Sequence, residues 1–402
     1  MAAISGETAG RIRDQAKNYE PQLIRFMRDL IAIPSESRRE RAVCERIGEE
    51  MRRVGFDEVF TDPIGNIVGR IGHGKTRIMY DAHIDTVGIG DPEAWQWDPY
   101  QGKFEDGKIY GRGAADEKAA IVSMVYGAKI IKDLGLDGDY TLYVVGIVME
   151  EDMDGYASRV FAEQVARPDY AVLGEPTVLR VYRGHRGRCE LRVKVKGVAC
   201  HASAPERGDN AIYKMTRIIQ GIERELAPRL KDHPFLGQGS IAVTRIESVS
   251  GSLNVVPDEC TVYIDRRMTW GETAEAAIAE IKALPGAEAA RVELLSYDEP
   301  SYTGYRETVP KNFPTWMVEE DHLVVQAGVR AGEIVFGERP EVGKWVFSTD
   351  GVSLNGMLGI PTIGFGPGDE RYAHTVGEFV PVEDLVKAAM FYAAFPRVIT
   401  AG

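Results

Sequence analysis

Three apolar segments that read as buried strands most constrain the fold of this 402-residue chain. They are TRIMYDAH (76–83), TLYVVGIVME (141–150) and DYAVLGE (169–175), and segments with a helical pattern lie between them. Strands that are apolar on both faces and alternate with helices pair mainly in parallel and are covered on both sides. The sequence therefore predicts an α/β fold with a mixed, mainly parallel sheet flanked by helices.

A different pattern begins near Arg188. The segment RCELRVKVKGV alternates apolar and polar residues, which is typical of an antiparallel strand with one solvated face. A helix, two strands, a second helix and a strand near 290–296 follow, so we expect a four-stranded α+β unit. From about residue 305 the α/β pattern returns. We therefore predict an inserted domain at 188–304 between two parts of a larger domain, 1–187 and 305–402.

Charge and composition narrow the classes of partner. The chain has 48 Lys and Arg against 61 Asp and Glu, a net charge of −13, which disfavours binding to nucleic acid or to an anionic membrane. Its four cysteines form no C-x-x-C pair, and neither a signal peptide nor an apolar stretch of about 18 residues is recognisable. We expect a cytoplasmic protein with a small-molecule or metal partner.

Two glycine-rich motifs resemble nucleotide-binding sequences but lack the required context. Residues 69–76 fit the phosphate-loop pattern, which needs a helix directly after Thr76. The following RIMYDAHIDTV reads as a strand, so we expect a hairpin turn there and keep a nucleotidase only as a remote alternative. Gly111 and Gly113 begin a G-x-G, but Asp116 occupies the third fingerprint position, where a carboxylate would repel a pyrophosphate. The sequence thus argues against dinucleotide chemistry.

Histidines and carboxylates follow several strand-like or glycine-rich segments. These residues are His83 with Asp85, Asp116, Glu150 and Glu151, Glu175, and His374. Each has an ordinary alternative, since a histidine can simply be packed, an aspartate can cap a helix and an acidic loop can be solvated. Ligands of α/β proteins nevertheless gather outside the carboxyl ends of the strands. We therefore expect these side chains to share one site.

The composition of this set indicates the chemistry. Imidazole and carboxylate groups are ligands for zinc and related metals. Two histidines with three of these carboxylates exceed one tetrahedral site but suit two metals that share a carboxylate at about 3.5–4 Å separation. The residues therefore indicate a dinuclear hydrolase.

Eight segments in sequence order carry a resemblance to a known family. They are DAHIDTV, GRGAADEKAA, VMEED, LGEPT, GVACHASAPERGDNAI, SLNVVPDECTVYIDRR, STDG and GFGPGDERYAHTVGEFV. As a set they resemble the dizinc aminoacylase family, which includes acetylornithine deacetylase, succinyl-diaminopimelate desuccinylase and glutamate carboxypeptidase. The resemblance runs from about residue 80 to 380 and implies a catalytic domain with an inserted lid and dimerisation domain.

The resemblance also implies a role for each site residue. His83 and Glu175 would hold one metal, Glu151 and His374 the other, and Asp116 would bridge them. The ions implied are two divalent metals, with zinc expected and cobalt or manganese as alternatives.

The remaining roles concern catalysis and substrate. The resemblance implies that Asp85 supports His83, that Glu150 is the general base, and that His201 contacts the oxyanion, often across a dimer interface. A substrate carboxylate would be bound by Asn254 and Arg267, with the adjacent Arg266 as an alternative.

Together these inferences predict a two-metal hydrolase, acetylornithine deacetylase-like or desuccinylase-like. It would cleave an amide of an N-acyl amino acid or small peptide-like substrate bearing a free carboxylate, and would be a homodimer through the inserted domain. The alternatives are an N-carbamoyl amino acid hydrolase, a dipeptidase, or a non-catalytic binding protein of the same fold. The glutamate at position 150 argues against the last of these.

Overall fold

The structure, a computed structural model, describes residues 4–401. Within this range the α-helices, numbered in chain order, are α1 (Gly6–Asn18), α2 (Glu20–Ile31), α3 (Arg41–Val54), α4 (Lys118–Leu134), α5 (Tyr156–Gln164), α6 (Ala211–Gly221), α7 (Ala274–Lys282), α8 (Leu323–Phe336) and α9 (Val382–Ile399). The strands are β1 (Glu58–Thr61), β2 (Ile67–Ile71), β3 (Thr76–His83), β4 (Lys103–Glu105), β5 (Lys108–Tyr110), β6 (Tyr140–Ile147), β7 (Tyr170–Leu173), β8 (Val181–Tyr182), β9 (Gly184–His185), β10 (Gly187–Lys196), β11 (Ser240–Val249), β12 (Glu259–Met268), β13 (Arg291–Leu294), β14 (Ser296–Tyr297), β15 (Val309–Pro310), β16 (Asn312–Phe313), β17 (Trp316–Met317), β18 (Val342–Gly343), β19 (Thr362–Gly364) and β20 (Phe379–Pro381).

The main sheet has eight strands in the order β1-β2-β6-β3-β7-β19-β8-β18. Its central strand β3 pairs in parallel with both β6 and β7, and β7 pairs in parallel with β19. Antiparallel pairs occur between β1 and β2, between β2 and β6, and between β19 and β8. The predicted mixed, mainly parallel sheet is therefore confirmed. The two strands beside β3 direct their carboxyl ends to the same edge as β3 itself.

Helices α4 and α9 are apolar around most of their circumference and are buried along most of their length. They pack against each other, α9 also contacts α1 and α8, and α4 contacts the sheet through β3 and β6. A helix that is hydrophobic all round requires burial on all sides. This packing gives the main sheet a thick apolar layer, on which the strand ends are held.

A second sheet has its own apolar core. It has the order β11-β12-β10-β13, and its core side chains come from residues 189–292, with α6 and α7 covering one face. Along β10 the side chains alternate between buried and partly exposed, as the sequence pattern predicts. The four predicted strands are present, and a fifth strand from outside the predicted inserted domain, β16, pairs with Arg188 and Cys189 at the start of β10. The boundaries 187/188 and 304/305 stay predictions.

The two glycine motifs have structural explanations. Thr76 begins a strand instead of a helix, but the expected hairpin is wrong, because β6 lies between β2 and β3 in the sheet and pairs with both. Gly111 and Gly113 have φ angles of 151° and 83°, which favour glycine, in the turn that leads to Asp116. Neither motif forms a phosphate loop.

Two further findings concern the chain as a whole. Within residues 4–401 the four cysteines are all free thiols. No helix in that range combines the length and apolarity that crossing a membrane would require.

Candidate metal centre

The predicted metal ligands meet at one edge of the main sheet. His83 ends β3, Glu150 and Glu151 follow β6, and Glu175 follows β7. Asp116 lies in the turn before α4, and His374 lies between β19 and β20. Except for the fully buried His83, these side chains line one cavity of about 450 Å³. The strand-end prediction holds because β6, β3 and β7 are adjacent and parallel.

The Asp116 carboxylate lies between the two histidines. Its Oδ1 is 2.9 Å from Nε2 of His83, and its Oδ2 is 3.1 Å from Nε2 of His374. On the far side, Nε2 of His374 is 3.0 Å from Oε1 of Glu151, while Nε2 of His83 is 3.8 Å from Oε1 of Glu175. Each carboxylate oxygen of Asp116 thus faces one histidine and belongs to one half of the cluster.

Two overlapping groups have ligand atoms within 4.8 Å of one another. One group contains His83, Glu150 and Glu175, and the other contains His83, Asp116 and Glu151. The first group brings Glu150 as close to His83 as the predicted ligands. Glu150 therefore lies within reach of a metal bound by His83 and Glu175.

Asp85 fixes the backbone of this cluster. Its Oδ1 accepts the N–H of Glu150 at 3.2 Å, and its Oδ2 accepts the N–H of Glu151 at 3.1 Å and the hydroxyl of Ser37 at 2.6 Å. His83 Nδ1 lies 3.0 Å from the main-chain oxygen of Asp85 and 3.6 Å from its carboxylate. The tautomer of His83 is therefore fixed by a carbonyl group, whereas the carboxylate of Asp85 positions the two glutamates.

The electrostatics of the cluster reflect an excess of buried negative charge. Burial raises the pKa of Glu150 and of Glu175 well above the usual value, and it also raises the pKa of Glu151. Hydrogen bonds to Asp116 and Glu151 raise the pKa of His374 to about 10. Burial opposes the charged form of His83, but Glu117, Asp116 and Asp85 raise its pKa well above normal. The site therefore attracts cations.

The cavity walls suit divalent metal ions. Six carboxylates but only two guanidinium groups and one imidazole line the cavity. Oε2 of Glu175 is buried and has no hydrogen-bond partner within residues 4–401, which is costly unless a ligand or ion engages it. Mixed imidazole and carboxylate donors are the set that zinc, cobalt and manganese accept. The residues present therefore fit two divalent ions.

The substrate side of the cavity corrects one prediction. Arg267 lines the cavity, whereas Arg266 is 1% exposed and forms ion pairs with Glu272 at 2.6 Å and Glu280 at 3.5 Å. Adjacent residues on a strand point to opposite faces, and only one face of β12 is directed at the cavity. Arg266 therefore stabilises the packing of α7 and is wrong as a substrate contact.

Two predicted residues of the second sheet unit do not reach the cavity in this chain. Asn254 is exposed, and its main-chain oxygen accepts the N–H of Ala202. His201 is also exposed, and its Nδ1 hydrogen-bonds to the main chain and hydroxyl of Ser203. Neither is among the cavity-lining residues. Their predicted roles would need domain closure or a second chain.

The segment from His185 to Arg188 divides between core and cavity. His185 is fully buried against Trp316, its Nδ1 donates to the main-chain oxygen of Arg186, and its Nε2 accepts from Thr349. Burial lowers its pKa to about 4, so this histidine is neutral. Arg188 lines the cavity, where it donates to Asp154 at 2.8 Å.

Sequence reasoning missed several residues of this region. Asp154 and Glu370 line the cavity, and neither is among the predicted site residues. Glu378 is buried and accepts hydrogen bonds from Arg112 and from the N–H groups of Gly113, Ala115 and Asp116. The one available signal was its position four residues after His374. A carboxylate so close to a ligand could have been considered as its support.

Comparison with known proteins agrees with this geometry. The sequence pattern of Peptidase family M20/M25/M40 matches residues 79–397. YgeY of Escherichia coli K12, named as an uncharacterized protein, is 52% identical over 388 residues, which cover 96% of each protein. An acetylornithine deacetylase of Myxococcus xanthus is 28% identical over 381 residues, 91% of this chain and 94% of that protein.

One solved structure extends the comparison to the fold. The crystal structure of the Bacillus subtilis YXEP protein, named as a dinuclear metal-binding peptidase of the M20 family, has a TM-score of 0.70 with this chain. The alignment covers 96% of this chain and 99% of that one at 16% identity. At that identity the likeness concerns the fold alone.

Proposed function

The chain belongs to Peptidase family M20/M25/M40 and has a metal-dependent hydrolase fold, and from that premise we propose that it cleaves an amide bond beside a free carboxylate. The substrate class is an N-acyl amino acid or a small peptide-like amide. The observation that carries the proposal is the Asp116 carboxylate between His83 and His374. It lies in a cavity that is also lined by Glu150 and Arg267.

Five side chains would hold two divalent ions. His83 and Glu175 would hold one ion, Glu151 and His374 the other, and Asp116 would be shared by both. When bound, such ions supply Lewis acidity that lowers the pKa of a water molecule and polarises the scissile carbonyl. We expect zinc, with cobalt or manganese as alternatives.

Glu150 would perform the proton transfers. It is 7% exposed at the cavity wall, and its N–H is fixed by Asp85. A carboxylate whose pKa is raised by burial is a better proton acceptor at neutral pH than an ordinary glutamate. Its carboxylate would take a proton from the attacking water and deliver it to the nitrogen of the leaving amine. Arg267 would bind the substrate carboxylate and orient the amide.

His201 would act from a second copy of the chain. In the described chain it is exposed and does not line the cavity, as the predicted dimer would require. The outer strand of its sheet, β11, is also accessible and presents Ile246 and Val249 at 55% and 58% exposure. Unpaired strand edges are ready sites for pairing between chains. We propose that this unit forms the dimer.

Metal content tests the first step of the proposal. We expect elemental analysis after mild dialysis to give two divalent ions per folded chain. A stoichiometry that stays at zero under excess zinc, with the protein folded, would overturn the metal assignment.

Activity tests the second step. The zinc-loaded protein would be assayed against N-acetyl, N-succinyl and N-carbamoyl amino acids and against dipeptides. Glu150→Gln should abolish turnover with little loss of metal, whereas Glu151→Gln should also lose metal because a ligand is removed. The reversed result would exchange the two roles. No hydrolysis by a chain holding two metals would refute the proposed reaction.

A further inference from the structure

Arg188 lies directly opposite Arg267 on the same face of the second sheet. In the antiparallel pair of β10 and β12 the two residues are direct partners, and both line the cavity. Directly opposed side chains share one face of a sheet, and like charges in that position are destabilising. Two adjacent guanidinium groups at the entrance to an active site therefore need anions near them.

Within residues 4–401 each arginine donates hydrogen bonds to one carboxylate. Arg267 uses two nitrogens, Nε at 2.7 Å and Nη2 at 3.0 Å, on the carboxylate of Asp265. Arg188 uses Nη2 on Asp154 at 2.8 Å. Asp154 follows β6, so this ion pair also connects the second sheet to the main sheet.

Arg188 retains unused hydrogen-bond donors. Its Nε is buried and has no partner within residues 4–401, and its Nη1 is 3.6 Å from Glu190, too far for a hydrogen bond. A buried donor without an acceptor costs free energy that an incoming oxyanion would recover. The side chain can therefore accept an additional anionic partner besides Asp154.

The guanidinium plane is held in a fixed orientation. The ring of Phe313 stacks on it, with the guanidinium carbon 4.3 Å from the ring centroid. A stacked face leaves only the edges of the group for hydrogen bonding, which is the geometry that recognises a carboxylate. Arg266, which precedes Arg267 on β12, instead forms ion pairs with Glu272 and Glu280 on the opposite face of the sheet.

We infer that Arg188 is a specificity-determining residue that binds a second anionic group of the substrate. The inference rests on the proposed function and deepens it: Arg267 binds the carboxylate beside the scissile amide, and Arg188 selects amides that carry another carboxylate. That group can belong to the acyl part or to the amino acid side chain, and the two sources share the same chemistry.

Pairs of isosteric substrates test this selection. N-acetylglutamate and N-acetylglutamine differ by one charge on the amino acid side, and N-succinylnorvaline and its succinamoyl analogue differ by one charge on the acyl side. We expect the wild-type kcat/KM to favour the dianion in one of the two pairs by about 10- to 100-fold, the range for a charge-assisted hydrogen bond. No preference for the dianion in either pair would overturn the inference.

Variants of Arg188 test whether its side chain causes the preference for the dianionic substrate. Arg188→Gln should bring the ratio within that pair close to one, because the loss on the dianion should exceed any loss on the neutral member. The control is Arg192→Gln, which removes a charge from the same face of β10, where Arg192 is paired with Glu293 away from the cavity. It should leave the ratio as in the wild type. Equal losses on both members in Arg188→Gln would mean a structural role and would overturn the inference.

Two measurements keep the test independent of folding and turnover. If the melting temperature of Arg188→Gln shows that it does not fold, Arg188→Lys keeps the charge but loses the planar fork, and should retain only part of the ratio. Calorimetric titration of the metal-loaded protein with each isosteric pair measures the same preference as a ratio of Kd values. If nothing is hydrolysed, the proposed function fails, while this Kd ratio still decides the role of Arg188.

Discussion

Replacing Glu378 with glutamine should weaken both the fold and the metal centre. The carboxylate is 1% exposed and accepts four hydrogen bonds. Its Oε2 receives Nη1 of Arg112 at 2.7 Å and the N–H of Gly113 at 3.1 Å, and its Oε1 receives the N–H groups of Ala115 at 2.9 Å and Asp116 at 3.1 Å. The turn that presents Asp116 therefore depends on this carboxylate.

The size of the effect follows from these contacts. Glutamine of the same shape replaces one oxygen by an NH₂ group, so two of the four donors lose their acceptor. Each buried donor left unsatisfied costs about 1–3 kcal/mol, and breaking a buried charged pair costs about 3–5 kcal/mol. We expect the free energy of unfolding in urea to fall by about 3–5 kcal/mol. Because the turn holds Asp116, metal affinity should fall by about 10- to 100-fold in competition with a chelator.

A matched control lies on the following helix. Glu383 in α9 has a side chain that is 74% exposed and is paired with Lys387 at 2.7 Å. Glu383→Gln should change the free energy of unfolding by at most about 0.5 kcal/mol, because exposed ion pairs contribute little. If Glu378→Gln unfolds at the same urea concentration as the wild type and binds metal equally well, the reasoning about the turn is wrong.

Three other outcomes are expected. Burial lowers the pKa of His185 from its ordinary value of 6.5 to about 4. Between these two pH values the unfolded chain therefore binds a proton at this histidine that the folded chain does not. The free energy of unfolding should therefore fall by about 3 kcal/mol as the pH drops from 6.5 to 4, and urea titrations of His185→Gln at both pH values should lack this contribution; an identical pH dependence in wild type and variant would contradict it. Arg267→Met should raise KM for a substrate acid far more than for its carboxamide, and equal changes on both would remove Arg267 from substrate binding. His201→Ala should lower kcat by about 10²–10³ with unchanged metal content, and activity should return when it is mixed with inactive Glu150→Gln and subunits exchange; a fully active His201→Ala would end its proposed role.

The site residues that sequence could predict are those marked by local context. His83 and Glu175 follow apolar strand segments, and Asp116 follows a glycine turn, so residue type and position together suggest a shared edge. The main sheet confirms that edge, because its three central strands are parallel and adjacent. The pattern of buried strands and helices carried enough information for the fold class and for the cluster.

Other features depend on contacts between distant segments. Alternation along β12 separates Arg266 from Arg267, but which face meets the cavity depends on packing against α7 and the main sheet. The orientation of the Arg188 side chain is set by its hydrogen bond to Asp154 and its stacking on Phe313, which lie far from it in the sequence. Likewise β16 has only two residues, too few to display any periodicity. Such roles are set by tertiary neighbours, which no local pattern encodes.

The position of β19 in the main sheet has a consequence for synthesis of the chain. It lies between β7 and β8, although those strands are separated from each other by only a few residues and precede β19 by nearly half the chain. On the ribosome, β7 and β8 therefore emerge long before the strand that joins them, and His374 emerges later still. Since contacts between distant segments form late in folding, we expect a nascent chain arrested before residue 362 to stay protease-sensitive at this edge and to lack the complete ligand set.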